Sequence, residues 1–88
     1  MNVEFSKNFE KQIDHIRDSK LKNEIAGIVR LVIKAESLEQ IPNIKKLKGF
    51  KSAYRIRSGD YRIGIIFQAG TVYFMAFANR KEIYRIFP

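Results

Sequence analysis

The chain has no cysteine and a single histidine, His15. Disulfides and thiolate metal sites are therefore excluded, and so is a histidine cluster. A reducing cytoplasm is the expected compartment. No apolar run approaches the length of a membrane-spanning helix, and the opening residues MNVEFSKNFEK lack the charged-then-apolar order of a secretory signal. A glycine-rich phosphate loop, an HExxH pair and a serine or cysteine triad are also missing. Acidic residues are scarce in one half only. Residues 1–40 carry seven basic and seven acidic side chains, whereas residues 41–88 carry ten basic ones against Asp60 and Glu82 alone. Two carboxylates argue against a metal site in that half, and no cofactor is expected.

What remains is 88 residues, 45% hydrophobic, enough for one small globular domain spanning residues 1–88. Its net charge of +8 lies wholly in the C-terminal half. Such asymmetry is the footprint of a phosphate-bearing partner. The cations fall in strand patterns and not on a basic amphipathic helix, which favours nucleic acid over a membrane surface.

Asn2 to Phe5 reads as a short strand. Ser6 is placed to cap a helix running to about Arg17, with Phe9, Ile13 and Ile16 on one side and Phe5 stapled onto its first turn. Asp18 or Ser19 starts a second helix whose stripe is Leu21, Ile25, Ile28, Val29, Val32 and Ile33. The short connection predicts an antiparallel helix pair. His15 falls at the exposed edge of the first helix and is assigned no chemistry. From Ser37 to Lys51 periodicity dissolves into a basic loop carrying Lys45, Lys46, Lys48 and Lys51, with Leu47 as its anchor to the core.

Tyr54 to Arg62, YRIRSGDYR, alternates as a strand does and breaks at Ser58-Gly59. A two-residue turn there pairs Arg57 with Asp60 and sets Arg55 opposite Arg62, with Tyr54, Ile56, Tyr61 and Ile63 on the core face. A three-residue loop with a bulge would reverse the parity of Arg62. Like charges facing each other across strands are destabilising. Their retention fits a bound polyanion, the bland alternative being a solvated face. Gln68-Ala69-Gly70 makes another turn. Thr71 to Ala78 is too apolar for an edge and reads as a central strand buried on both sides. Lys81 to Phe87 predicts one or two helical turns. The class is α+β: an N-terminal strand that can run parallel to a later one, a helix pair on one face of a small, mainly antiparallel sheet, and a short C-terminal helix.

The chemistry available is that of a basic, tyrosine-bearing surface: Lys46, Lys48, Arg55, Arg57, Arg62, Arg80, Arg85 and nearby Tyr84. Arginine contacts phosphate bidentately and stacks on bases. Tyrosine stacks or moves a proton. RNA carries its own nucleophile in the 2′-hydroxyl, so cations that orient it and stabilise the phosphorane suffice for cleavage.

At Leu47-Lys48-Gly49, at YRIRSGDYR over 54–62 and at NRKEIYR over 79–85, the chain resembles the RelE/ParE toxins of bacterial and archaeal toxin–antitoxin pairs, along essentially its whole length. The resemblance implies the RelE-like fold and, in the RelE branch, metal-independent endonuclease cleavage of messenger RNA on the ribosome. It also implies a cognate antitoxin beside the ribosome and mRNA as partners. Arg55 and Arg57 match basic residues on the strand before the turn. Arg62 matches the arginine proposed to stabilise charge at the scissile phosphate, Arg80 the arginine beyond the last strand, and Tyr84 a C-terminal tyrosine of base stacking or proton transfer. Lys45, Lys46, Lys48, Lys51 and Arg85 are expected to contact RNA or ribosome without selecting sequence. Many relatives have Gly-His-Arg where this chain has Ala78-Asn79-Arg80, which removes a histidine base and leaves Tyr84 as the proton-transfer candidate. Two alternatives are a gyrase inhibitor of the ParE kind, without nuclease activity, and a simple RNA-binding module.

Overall fold

The computed structural model describes residues 1–88. Five strands form one sheet in the order β1-β5-β4-β3-β2. They are β1 (Asn2–Phe5), β2 (Ile44–Lys46), β3 (Ala53–Ser58), β4 (Tyr61–Gln68) and β5 (Thr71–Asn79), with helices α1 (Lys7–Asp14), α2 (Ser19–Lys34) and α3 (Ile83–Ile86). β1 runs parallel to β5 and every other pairing is antiparallel. No helix is long and apolar enough to cross a membrane.

Ser6 starts α1 as expected, its Oγ accepting the Phe9 N–H at 3.0 Å. The same hydroxyl donates to the Met75 carbonyl at 3.0 Å, so the cap also ties α1 to the sheet. Phe5 stacks on Phe9 with ring centroids 5.9 Å apart. α1 stops at Asp14, before Arg17, in a tightened last turn where the Ile16 N–H donates to the Ile13 carbonyl at 3.0 Å. Asp18 caps α2 through the N–H groups of Lys20 and Leu21. Phe9, Ile25 and Val32 of the helices close over Ile56, Ile63, Ile65, Val72, Phe74 and Phe77 of the sheet. Ile33 departs from the expected stripe and stays half exposed.

The apolar run of β5 is central, as its composition predicts, and breaks strict alternation. Gly64 pairs with Ala76 while Ile65 pairs with Phe74, so Met75 is an extra residue in a β-bulge. The bulge turns both Phe74 and Phe77 to the helix side. Past the end of β1 the Phe77 N–H has no strand partner, and it donates to Gln12 Oε1 at 2.7 Å. On the opposite face Ala53, Ala76, Ile83 and Phe87 form a second, smaller core. α3 therefore lies on the face that the helix pair leaves free. It is too short to persist by itself. Burial of Ile83 and Phe87 holds it, at roughly 1.5–3 kcal/mol for each side chain.

Two local expectations change. Ile44 to Lys46 is a strand and not part of a loop, paired with Arg55 and its neighbours on β3. The hairpin turn is Gly59-Asp60, one residue later than Ser58-Gly59. Gly59 has φ +57° and Asp60 does not share a positive φ. A type II′ turn requires glycine at the first central position, and the Ser58-Gly59 alternative would put it second.

Candidate RNA-binding face

The corrected turn rewrites the pairings but keeps the parity. Arg57 stands opposite Arg62, Arg55 opposite Gly64, and Ser58 opposite Tyr61. The expected Arg57–Asp60 and Arg55–Arg62 pairings do not occur. β2 adds Lys45 beside Arg55. Two like-charged pairs, Lys45–Arg55 and Arg57–Arg62, thus face each other on the α3 side of the sheet. Farther across the same rows stand Gly64, Ala76 and Ala78. Those small residues leave room for α3 over β4 and β5, while the cations occupy β2, β3 and the turn end of β4.

Arg55, Arg57, Arg62 and Lys45 line one small cleft of about 300 Å3, together with Asn43 and Ile44 and no carboxylate. The guanidinium hydrogen bonds there go to neutral oxygens. Arg62 Nη1 donates to the Gly59 and Tyr61 carbonyls at 2.8 and 2.9 Å, which folds the side chain back over the turn. Arg57 Nη2 reaches Asn43 Oδ1 at 3.5 Å. Neither guanidinium is tied up in an ion pair, although Glu24 and Asp60 line the neighbouring cleft toward α2, so both stay open to an incoming anion.

Tyr84 projects from α3, 69% exposed, with the Arg55 guanidinium carbon 4.9 Å from its ring centroid. Its exposure rules out the core-edge role open to it in the sequence. Tyr54 and Tyr61 are core residues as expected, Tyr61 stacking on Phe77 at 5.0 Å. Arg80 sits at the far end, where its N–H donates to the Asp60 carbonyl at 2.8 Å. It shares a second cleft with Arg57 and Arg62, between α2 and the hairpin turn. A third cleft joins Arg55 and Tyr84 to Lys45, Lys46 and Lys48. The three clefts share residues end to end and form one track from Tyr84 past Arg55, Arg57 and Arg62 to Arg80. Arg80 and Tyr84 mark its two ends and line no common cleft. Lys51 is exposed on the loop beside Lys46 and Lys48. Arg85 is exposed on α3 and lines none of the three.

The sequence reading missed Asn43, whose φ of +62° suits asparagine and whose carbonyl accepts the Arg57 N–H at 3.1 Å. The Pro42-Asn43 pair was its signal, a turn marker directly before the new strand. It also missed Gly64 and Phe87. A Cβ built on Gly64 would lie 2.4 Å from the Phe87 ring.

No family model matches the chain. Compared with curated proteins, it is 38% identical over 89 residues to Toxin RelE3 of Methanocaldococcus jannaschii, covering all of both chains. The chain belongs to the RelE toxin family. Among solved structures, the toxin chain in the RelB-RelE antitoxin–toxin complex of Methanococcus jannaschii superposes with a TM-score of 0.80. It is 37% identical over 96% of this chain and 98% of that one. The intact E. coli RelBE complex gives 0.69 at 20% identity over 89% and 94%. The YoeB-YefM complex of Staphylococcus aureus gives 0.73 at 17% over 91% and 97%. The last two likenesses concern the fold alone. For this RelE toxin the expected architecture, helix pair, mixed sheet and short terminal helix, is the observed one.

Proposed function

We propose that this RelE toxin is an mRNA endonuclease that acts on the ribosome and is silenced by a cognate antitoxin, as RelB accompanies RelE in the Methanococcus jannaschii complex. The observation that carries the reading is the track itself: three arginines and Lys45 on one sheet face, bonded only to neutral groups, with an exposed tyrosine at one end. In the proposed step the 2′-oxygen attacks the scissile phosphorus, forming a 2′-O–P bond as the P–O5′ bond breaks. The 2′-hydroxyl gives up its proton and the departing 5′-oxygen takes one. Arg62, held over the turn by two carbonyls, and Arg57 opposite it stabilise the negative charge on the phosphorane oxygens. Arg55 places Tyr84 at the edge of this cluster, where its hydroxyl carries a proton or its ring carries a base. Lys45, Lys46, Lys48 and Lys51 hold flanking phosphates, and Arg80 extends the binding track.

The test is to express the chain in a translating extract and map new mRNA 5′ ends. In-frame breaks are expected, and Arg62→Ala is expected to reduce them about 100- to 1,000-fold, the usual cost of one transition-state donor. Breaks of undiminished yield in that variant would remove the mechanism. Supercoiling by DNA gyrase is expected to proceed unchanged.

A further inference from the structure

We propose that Phe50 is a further base-stacking residue, the second wall of a subsite for one unpaired nucleobase of single-stranded RNA, opposite the Tyr84 ring to which the family resemblance already gives that role. The inference rests on the ribonuclease reading above and names how that site holds its substrate.

Phe50 is half exposed at the end of a lysine-rich turn and belongs to neither core. The other strongly exposed phenylalanine, Phe5, stacks on Phe9 and Phe74. Phe50 stacks on no ring of the chain. Its turn is nevertheless well fixed. Leu47 is anchored in the smaller core, and its N–H donates to the Ala53 carbonyl at 2.9 Å. The Phe50 N–H closes the turn on the Leu47 carbonyl at 3.3 Å, around Gly49 with φ +83° as a type II turn needs. An apolar ring is thus held outward by a built loop.

It faces the same cleft as Tyr84, a space of about 500 Å3 floored by Ile83 and Phe87. That volume lies within the roughly 300–1,000 Å3 range of small-ligand sites. Lys45, Lys46, Lys48 and Arg55 rim it and no acidic side chain does. Two aromatic walls attract any base through its π-face, and the surrounding ammonium groups take the adjoining phosphates. Arg55 beneath Tyr84 extends the stack by a cation–π contact. The charge around the rings selects a nucleotide over an apolar peptide.

The probe is a mixed-sequence 2′-O-methyl oligoribonucleotide carrying one 2-aminopurine, titrated into the full chain without ribosomes. Its blocked 2′-oxygen cannot attack, so binding is read apart from cleavage. Quenching of the aminopurine is expected on binding. Phe50→Ala is expected to weaken affinity roughly 5- to 100-fold, the range measured for loss of one base–aromatic stack. Phe50→Leu should fall with alanine, Phe50→Trp should match the parent, and an abasic oligomer should bind parent and Phe50→Ala alike. A leucine variant binding as well as the parent would overturn the proposal, because greasy bulk would then suffice. So would equal losses on the abasic oligomer. Either result would leave the Arg62→Ala cleavage test standing, and failure of that test would leave this binding result intact.

Discussion

Gly64 is the residue whose lack of a side chain sets where Tyr84 stands. It faces Arg55 across the strands, and the Phe87 ring rests over its Cα, where an added Cβ would come within 2.4 Å. Its backbone lies outside the positive-φ region, so the demand for glycine is spatial. Phe87 is buried there and carries the end of α3, the element that projects Tyr84. Gly64→Ala is therefore expected to push Phe87 out and unseat α3, at roughly 1–3 kcal/mol in chemical denaturation. The larger core on the helix side should keep the variant folded by circular dichroism. mRNA cleavage should nonetheless fall at temperatures where the variant is fully native. Adding Phe87→Leu should recover part of the stability, so that the pair costs less than the sum of the single changes. Strictly additive costs would show that the two residues do not share this contact.

The elements differ in how far their own residues announce them. α2 and β5 were legible because a capping aspartate and an unbroken apolar run are local signals. β2 was not, because Ile44-Lys45-Lys46 offers one apolar residue and exists through pairing with β3, a partner remote in sequence. The hairpin turn slipped by one residue because Ser58-Gly59 and Gly59-Asp60 both keep Tyr54, Ile56, Tyr61 and Ile63 on one face. The pairing of Ser58 with Tyr61 separates them, and it puts the positive φ of Gly59 at the first central position. Parity survived the slip, so the three arginines came together on one face as expected while their individual partners changed. Phe50 carried no sequence signal beyond an aromatic among lysines. The second hairpin shows a turn residue at odds with its turn. Ala69 has φ +50° and Gly70 +79°, between the paired residues Gln68 and Thr71. Both central positions of a type I′ turn need positive φ, and alanine tolerates this poorly. Ala69→Asn is expected to stabilise the chain by about 1 kcal/mol, raising Tm by about 4–8 °C in a domain of this size. Cleavage should not change, since the turn lies away from the track. A calorimetric scan with unchanged or lowered Tm would refute the strain argument.

The whole molecule divides its charge by layer. The first 40 residues, chiefly the helix layer and β1, are balanced, and the surplus of +8 falls on the later sheet, its loops and α3. Within that surplus the register sets Lys45 against Arg55 and Arg57 against Arg62. Direct like-charge pairs across strands cost roughly 0.2–1 kcal/mol each. The free toxin should therefore be less stable than its packing allows, and anything that screens or binds the arginines should strengthen it. Arg57→Gln removes one such pair while keeping a hydrogen-bonding side chain for Asn43. At low ionic strength, where the Debye length is about 30 Å, the variant is expected to be more stable than the parent. Near 0.15 M salt, with a Debye length of about 8 Å, the difference should shrink as screening relieves the parent. The same variant should bind the oligonucleotide probe less well and lose one phosphate contact from its salt dependence, a change of about 0.7 in the log–log slope for single strands. Stability and binding moving in opposite directions would identify the repulsion as the cost of an anion site. If instead Arg57→Gln lowers stability at every ionic strength, these arginines hold the sheet together. The track would then be a structural surface before it is a binding one.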